Sequence, residues 1–323
     1  MRQTALHAIM YGAGDLRLEE RPIDQSPLAP DEVYVETEVT ALSTGTDLGN
    51  YLGRSTDVPG APDYPRAVGY SNVGIVRDVG ASVKRVAPGM RVFSMKPHLS
   101  AFRARDTEVL VPLPEGVAPE PASLAYLTQL GVAALRQVHY EAGESVAIVG
   151  LGVIGLCTCT MARMMGAREL VAVANSAQRA QAALAAGAYR AVVTGQDPPP
   201  QEMDIVVLTA NPWAAFRQSV DMVRYAGRIS ILGFPGRGEA PPDFNPLDAR
   251  WFYGKQLTLV GSGFSTDRFS RLRNLEYIVS AMAHTNAFDG IISHRLPAVR
   301  MREAYELARL HDKSLQAAIF DWR

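Results

Sequence analysis

The stretch V-A-I-V-G-L-G-V-I-G, Val146 to Gly155, sets the reading of the whole chain. Val146 to Val149 is a short unbroken apolar run, as a strand buried on both faces shows. Gly150, Gly152 and Gly155 follow at the spacing G-x-G-x-x-G. Leu156 to Met165 then continues without Pro or Gly, as a helix does. Strand, glycine turn and helix in that order suit the pyrophosphate of a dinucleotide. Gly150 permits the tight turn. Gly152 carries no side chain, so backbone can approach phosphate. Gly155 lets the helix pack closely on the strand. Val153 and Ile154 open that helix, whose N-terminus offers unpaired N–H groups and partial positive charge to an anion.

Downstream the chain alternates. Leu170 to Ala174 reads as a strand, Ala177 to Ala186 as a helix ended by Gly187, and Asp204 to Leu208 as a further buried strand. Pro212 to Arg224 fits a helix, and Gly227 to Gly233 and Gln256 to Gly261 fit two strands. This alternation predicts a parallel sheet wrapped by helices. Upstream the period differs. In Glu32 to Val39, valines 33, 35 and 39 with Thr37 alternate with Glu32, Tyr34, Glu36 and Glu38, which predicts a half-buried strand. Short strands with Pro/Gly turns continue to Val111, as in a compact barrel-like β domain. Residues 54–66, rich in Pro, Gly and Asp, read as a surface loop. Pro121 to Val138 reads as one helix, and the tail from Arg268 holds two helical patterns and a final strand, Ala317 to Phe320.

The 323 residues carry a net charge of −1, which gives no footing to nucleic acid or an anionic membrane as partner. No apolar run reaches the roughly 18 residues that span a bilayer, and the N-terminus lacks a secretory apolar core. The two cysteines, Cys157 and Cys159, point to different sides of their helix and read as core fillers. A cytoplasmic, reducing location is the expectation.

In this order (a β domain with G-T-D, a helix with Thr128, V-x-G-x-G-x-x-G, an N-S loop after the next strand, G-R-I-S-I-L-G, and S-H-R-L-P in the tail) the chain resembles the medium-chain dehydrogenases/reductases, on their alcohol and polyol dehydrogenase side. The resemblance covers nearly the whole chain. It implies an α/β architecture: a GroES-like β-barrel catalytic domain, residues 1–120 with 265–323, and a Rossmann-fold dinucleotide-binding domain, residues 121–264. It also implies substrate in the cleft between them, hydride transfer to or from a nicotinamide, and a homodimer joined through an edge strand at Gln256 to Gly261. Thr128 and the strand ends Gly233-Phe234 and Gly261-Ser262 would flank the nicotinamide, and Lys313 or Gln316 would reach the pyrophosphate.

The departures from that family's pattern carry information. Where its alcohol branch reads Cys-Gly-(Ser/Thr)-Asp, this chain has Thr44-Gly45-Thr46-Asp47; where the branch reads Gly-His-Glu, it has Gly69-Tyr70-Ser71. Ser123 and Leu124 stand near the third ligand position, and the lobe of four structural cysteines is missing. Zn²⁺ takes four N, S or O ligands that such a set does not supply, so the expectation is a member without zinc. The proton must then come from a side chain. Thr46 holds the position whose hydroxyl relays a proton in relatives; Tyr70 holds a ligand position facing the cleft; His98, in Lys96-Pro97-His98, lies on a segment expected to border it, with a surface histidine as the plain alternative. Asp47 reads as a turn or capping residue. Asn50, Tyr51, Trp251 and Phe264 shape the pocket or fill the core.

The strand after the glycine helix ends at Ala174, where an NAD-binding domain usually places Asp or Glu for the ribose hydroxyls. Asn175, Ser176 and Arg179 follow, with donors and positive charge for a 2′-phosphate. NADP(H) is therefore expected over NAD(H). The leading expectation is a zinc-independent oxidoreductase interconverting a secondary alcohol, such as a polyol, sugar or cyclitol, and its ketone. A quinone or enone reductase of the same fold, and an inactive NADPH-binding sensor or structural protein, are the alternatives. Product analysis separates the first two.

Overall fold

The structure, a computed structural model, describes residues 1–54, 63–262 and 267–323. Most of the stretch 54–66, and Phe264, lie outside the described residues. The chain forms two compact units, Met1–Tyr126 with Leu275–Arg323, and Leu127–Asn274.

The first unit opens with β1 (Thr4–Gly12), β2 (Asp15–Pro22), β3 (Glu32–Ala41), α1 (Thr46–Tyr51), β4 (Arg66–Ala67), β5 (Asn72–Val79), β6 (Arg91–Ser94), β7 (Ala101–Arg105), β8 (Leu110–Pro112) and α2 (Pro119–Ala122). Strand β3 is its hub, because β5 and β7 both pair with it antiparallel. The half-buried reading of β3 is corrected. Tyr34 and Glu38 are buried along with Val33 and Val35. Tyr34 packs with Ala5 and Ala101, while Val33 and Val35 face Val76 and Val92. Buried Glu38 accepts from the Arg91 guanidinium at 2.7 Å, so its charge is paired.

The second unit holds nearly all of α3 (Ala125–Gln137), then β9 (Ser145–Val149), α4 (Val153–Met164), β10 (Glu169–Ala174), α5 (Ala177–Ala185), β11 (Arg190–Val193), β12 (Met203–Leu208), α6 (Trp213–Met222), β13 (Val223–Ile231) and β14 (Thr258–Gly261). These strands make one parallel sheet in the order β11-β10-β9-β12-β13-β14. The order reverses at β9, and ligands bind beyond the carboxyl ends of strands at such a switch point. Every residue of β9 is buried. Cys157 and Cys159 fill core space, and burial pushes both thiols up to about 12.

Two element boundaries differ from the sequence reading. The helix expected over Pro121 to Val138 is two, because the Ser123 hydroxyl and amide both turn back on the Glu120 carbonyl and the Leu124 amide bonds Pro121. Strand β13 begins at Val223, where a helix was expected to continue; the left-handed Ala226 (φ 53°) absorbs the register shift against β12.

The chain then returns to the first unit through α7 (Arg268–Met282), α8 (Ala287–Ile291), β15 (Ile292–Pro297), α9 (Met301–Arg309) and β16 (Ala317–Asp321). Strand β16 pairs antiparallel with β3, Ile319 opposite Ala41, and the sheet runs β15-β16-β3-β5-β6-β8. Among the described residues no helix is long and apolar enough to cross a membrane.

At the amino ends of the parallel strands Asp204 ties three elements together. It accepts from the Ser145 amide and hydroxyl, each at 2.8 Å, and from Arg224 at 2.6 Å. Burial alone would raise its carboxyl; these donors outweigh burial and hold it at about 2. A depressed folded-state value gives stability that is present above the unfolded value of 3.8 and is lost as pH falls through about 2. Asp204→Asn is expected to lower unfolding free energy at pH 7 by on the order of 1–2 kcal/mol, allowing for partial solvent screening. In urea titrations the gap from the parent protein should close as pH falls from about 4 to about 2; a gap constant with pH would refute the assignment.

Candidate functional site

In the second unit the carboxyl end of β9 runs into the glycine turn. Gly150 adopts φ +95°, a left-handed conformation that favours glycine. A Cβ on Gly155 would lie 2.0 Å from the Gly150 carbonyl oxygen, so α4 meets the turn in direct backbone contact. Gly152 differs: a Cβ there would meet no atom within 4 Å, and its φ of −74° suits any residue. The fold therefore needs glycine at 150 and 155, whereas the space over Gly152 is open. Gly152 caps α4 without a side-chain hydrogen bond, which leaves the first amides of the helix, from Val153 and Ile154 on, directed at that space. A cradle of backbone amides with open space above fits the pyrophosphate of a dinucleotide.

Around this turn the structure gathers groups from several strands. The Thr209 hydroxyl, just past β12, donates to the Gly150 carbonyl at 2.7 Å. Beyond β10, Asn175 is exposed, and Ser176 caps α5 by accepting from the Arg179 amide. The Arg179 guanidinium reaches back to the Leu151 carbonyl at 3.1 Å, so this cation stands beside the glycine turn. Gly233 is wedged against the Ala210 and Thr209 carbonyls, where a Cβ would sit at 2.6 and 2.9 Å. Phe234 is exposed, with its amide on Asn211. Thr128 is buried and bonds the Cys157 thiol. Gly261 has open space, while the buried Ser262 hydroxyl is 2.9 Å from that of Ser230. Thr209 was absent from the sequence reading; a threonine closing a buried strand beside the switch point was its available signal.

In the first unit Thr46 and Tyr70 come together. The Tyr70 phenol donates to the Ser43 hydroxyl at 2.5 Å, and the Thr46 side chain also bonds it. Burial and the charge of Asp47 raise the phenol above its ordinary range, against the pull of the Ser43 and Thr46 hydroxyls. Tyr126 sets its ring edge-on at 5.0 Å. Asp47, 1% exposed, accepts from the Ser43 amide at 2.9 Å and from the Gly69 amide at 3.0 Å. His98 is not at the surface, the plain alternative for it: it is 0% exposed, with Nδ1 2.8 Å from the Thr40 hydroxyl and Nε2 3.7 Å from Asp47. Tyr51 and Trp251 are core residues of their respective units. Ser43 and Tyr126 were not singled out from sequence. Ser43 lay in the S-T-G-T-D run, and nothing local marked Tyr126.

The donor set does not suit Zn²⁺. The oxygens here belong to neutral hydroxyls, and both carboxylate oxygens of Asp47 accept from backbone amides. Among the described residues no three His, Cys, Asp or Glu side chains are grouped to hold a metal ion.

Residues 153–277 match the family model described as zinc-binding dehydrogenase. The chain is 26% identical to sorbitol dehydrogenase of Mus musculus over 225 residues, 60% of this chain and 62% of that protein. The match thus spans about three-fifths of that relative's length. It is 24% identical to L-threonine 3-dehydrogenase of Mesorhizobium japonicum over 345 residues, 94% of this chain and 95% of that one. The structure of L-idonate 5-dehydrogenase from Escherichia coli superposes with a TM-score of 0.83 at 16% identity, over 98% of each chain. Residues 153–277 thus resemble the zinc-binding dehydrogenases, and the superposition shows a fold shared with L-idonate 5-dehydrogenase.

The glycines give an expected contrast. Gly152→Val should leave the thermal midpoint within a few degrees of the parent protein and weaken NADPH binding at least tenfold by calorimetry, because its side chain fills only the open space. Gly155→Val should lower both. Unimpaired NADPH binding by Gly152→Val would dismiss the cradle.

Proposed function

We propose that the protein is a metal-independent, NADP(H)-preferring oxidoreductase that interconverts a secondary alcohol and its ketone, with Tyr70 as the proton donor in the reducing direction. The observation that carries this reading is the Tyr70 phenol on the Ser43 hydroxyl at 2.5 Å, beside Thr46, where the family pattern has metal ligands.

A nicotinamide dinucleotide held over Gly152 by the first amides of α4 would supply or take the hydride. Reduction places a hydride on the carbonyl carbon and leaves charge on its oxygen, which needs a proton. Tyr70 stays protonated near neutrality and gives its phenolic proton to that oxygen, forming the alcohol O–H bond. The phenolate takes a proton back from the Ser43 hydroxyl, which Thr46 and solvent resupply. Oxidation runs the same path in reverse. Asp47 opposes accumulation of the phenolate by charge repulsion, so the step favours a prompt return of the proton.

Arg179 supports the choice of nicotinamide. It stands at the glycine turn, where it bonds the Leu151 carbonyl, shortly after the position of the missing ribose-binding acid; a guanidinium there suits a 2′-phosphate. The Tyr70–Tyr126 ring pair also suits a flat conjugated substrate, which keeps enone or quinone reduction as the second reading.

Three experiments test these points. A panel of ketones and enones is offered with NADPH and the products identified: C=O reduced to C–OH supports the first reading, C=C reduced to C–C the second, and no turnover sinks both. On the substrate so found, Tyr70→Phe is expected to lose about a hundredfold in kcat; parental turnover would remove Tyr70 from the mechanism. Arg179→Ala is expected to weaken NADPH about tenfold and leave NADH unchanged, as loss of a charge-assisted hydrogen bond predicts. An equal effect on both nucleotides would rule out 2′-phosphate recognition.

A further inference from the structure

The imidazole of His98 sits in the first unit with every neighbour fixed. Its backbone amide donates to the Val68 carbonyl at 2.8 Å, and its carbonyl accepts from Ala8 at 2.9 Å. Its ring stands edge-on to Phe320 of β16 at 5.1 Å. The ring also lies flat against the backbone of Gly69, so that a Cβ there would come within 2.6 Å of two ring carbons. Gly69 is left-handed (φ +86°), which makes this turn doubly selective for glycine. From its other side the turn is held by Asp47, through the Gly69 amide. The next residue in the chain is Tyr70.

The groups around His98 bear on its tautomer. The Thr40 hydroxyl accepts from Trp322 Nε1 at 3.0 Å and lies 2.8 Å from His98 Nδ1. One arrangement uses the Thr40 proton as the donor to Nδ1, which then acts as acceptor. The ring hydrogen of the neutral imidazole is left on Nε2. That atom is buried, has no hydrogen-bond partner among the described residues, and is 3.7 Å from Asp47 Oδ2. A hydrogen there is too far from that oxygen for a full hydrogen bond but close enough for its charge to favour it. The alternative tautomer would point a bare lone pair at the same carboxylate.

We propose that His98 is a positioning residue: with its ring hydrogen on Nε2 facing Asp47, it clamps the Gly69 turn and so holds the Tyr70 phenol on Ser43. This role rests on the reading of Tyr70 as proton donor, but the clamp itself is a property of the protein without substrate and is tested there. It replaces the direct catalytic part that the sequence suggested for His98.

The tautomer is read by ¹⁵N NMR of histidine-labelled wild-type protein. The expected result is an unprotonated Nδ1 and a protonated Nε2 for His98, assigned by its loss in His98→Phe; a proton on Nδ1 overturns the proposal. Tyr70 is followed by ¹⁹F NMR after 3-fluorotyrosine labelling, its signal assigned with Tyr70→Phe. In His98→Phe, which keeps a ring against Gly69 but removes both nitrogens, the Tyr70 resonance is expected to move by more than its linewidth, and an unmoved signal overturns the clamp. Should His98→Phe not fold, His98→Gln is measured to the same criterion. With a turned-over substrate, kcat should fall about tenfold with the KM for NADPH unchanged. Failure of every substrate with the NMR results as expected would sink the oxidoreductase reading and leave the clamp standing; the converse separates them equally.

Discussion

The contact between Gly155 and the carbonyl of Gly150 leaves no room for a single carbon atom. The second unit is arranged around that closeness. It puts the first turn of α4 directly over the end of β9, the strand at which the sheet order reverses. Thr209 then secures the turn from the neighbouring strand by bonding the same Gly150 carbonyl. A steric requirement at two positions thus frees a third, Gly152, whose lack of a side chain serves no packing need inside the protein. Backbone dipoles do the rest, since a helix start without a side-chain cap presents its amides to whatever anion fills the space.

In the first unit the corresponding organising group is the carboxylate of Asp47. Burying a charge is costly unless it is satisfied, and here two backbone amides satisfy it, one at Ser43 and one at Gly69. These are the two segments that carry the Ser43–Tyr70 hydrogen bond, so the group that neutralises its own burial also sets the geometry of the phenol. This chain gathers the two segments by short-range hydrogen bonds to one acid.

The glycine turn and its flanking strand and helix were legible because all their determinants lie within ten consecutive residues. The same holds for the missing acid at Ala174. Tyr70 and Thr46 were legible only by their place in a family pattern, since nothing local says that residues 24 apart in sequence share a hydrogen-bonded cluster. His98 was misjudged as a possible surface residue because the side chains that bury and bond it, Phe320 and Trp322 with Thr40, come from strands far away in sequence. The burial of Tyr34 and Glu38 was hidden for a related reason: alternation reports one covered face and carries no information on what covers the other. The break after Ala122 and the early start of β13 show boundaries decided by local hydrogen bonds and by register with β12, which a hydrophobic pattern does not encode.

Strand β16 lies beside β3, so a sheet begun by the first residues is extended by some of the last. During synthesis on the ribosome the intervening unit, Leu127–Asn274, emerges whole before that strand exists. A nascent chain can therefore complete its parallel sheet while Thr40 still waits for the indole that will bond it. Completion of the Thr40–His98–Trp322 contacts becomes a late event, dependent on one of the longest-range pairings in the molecule.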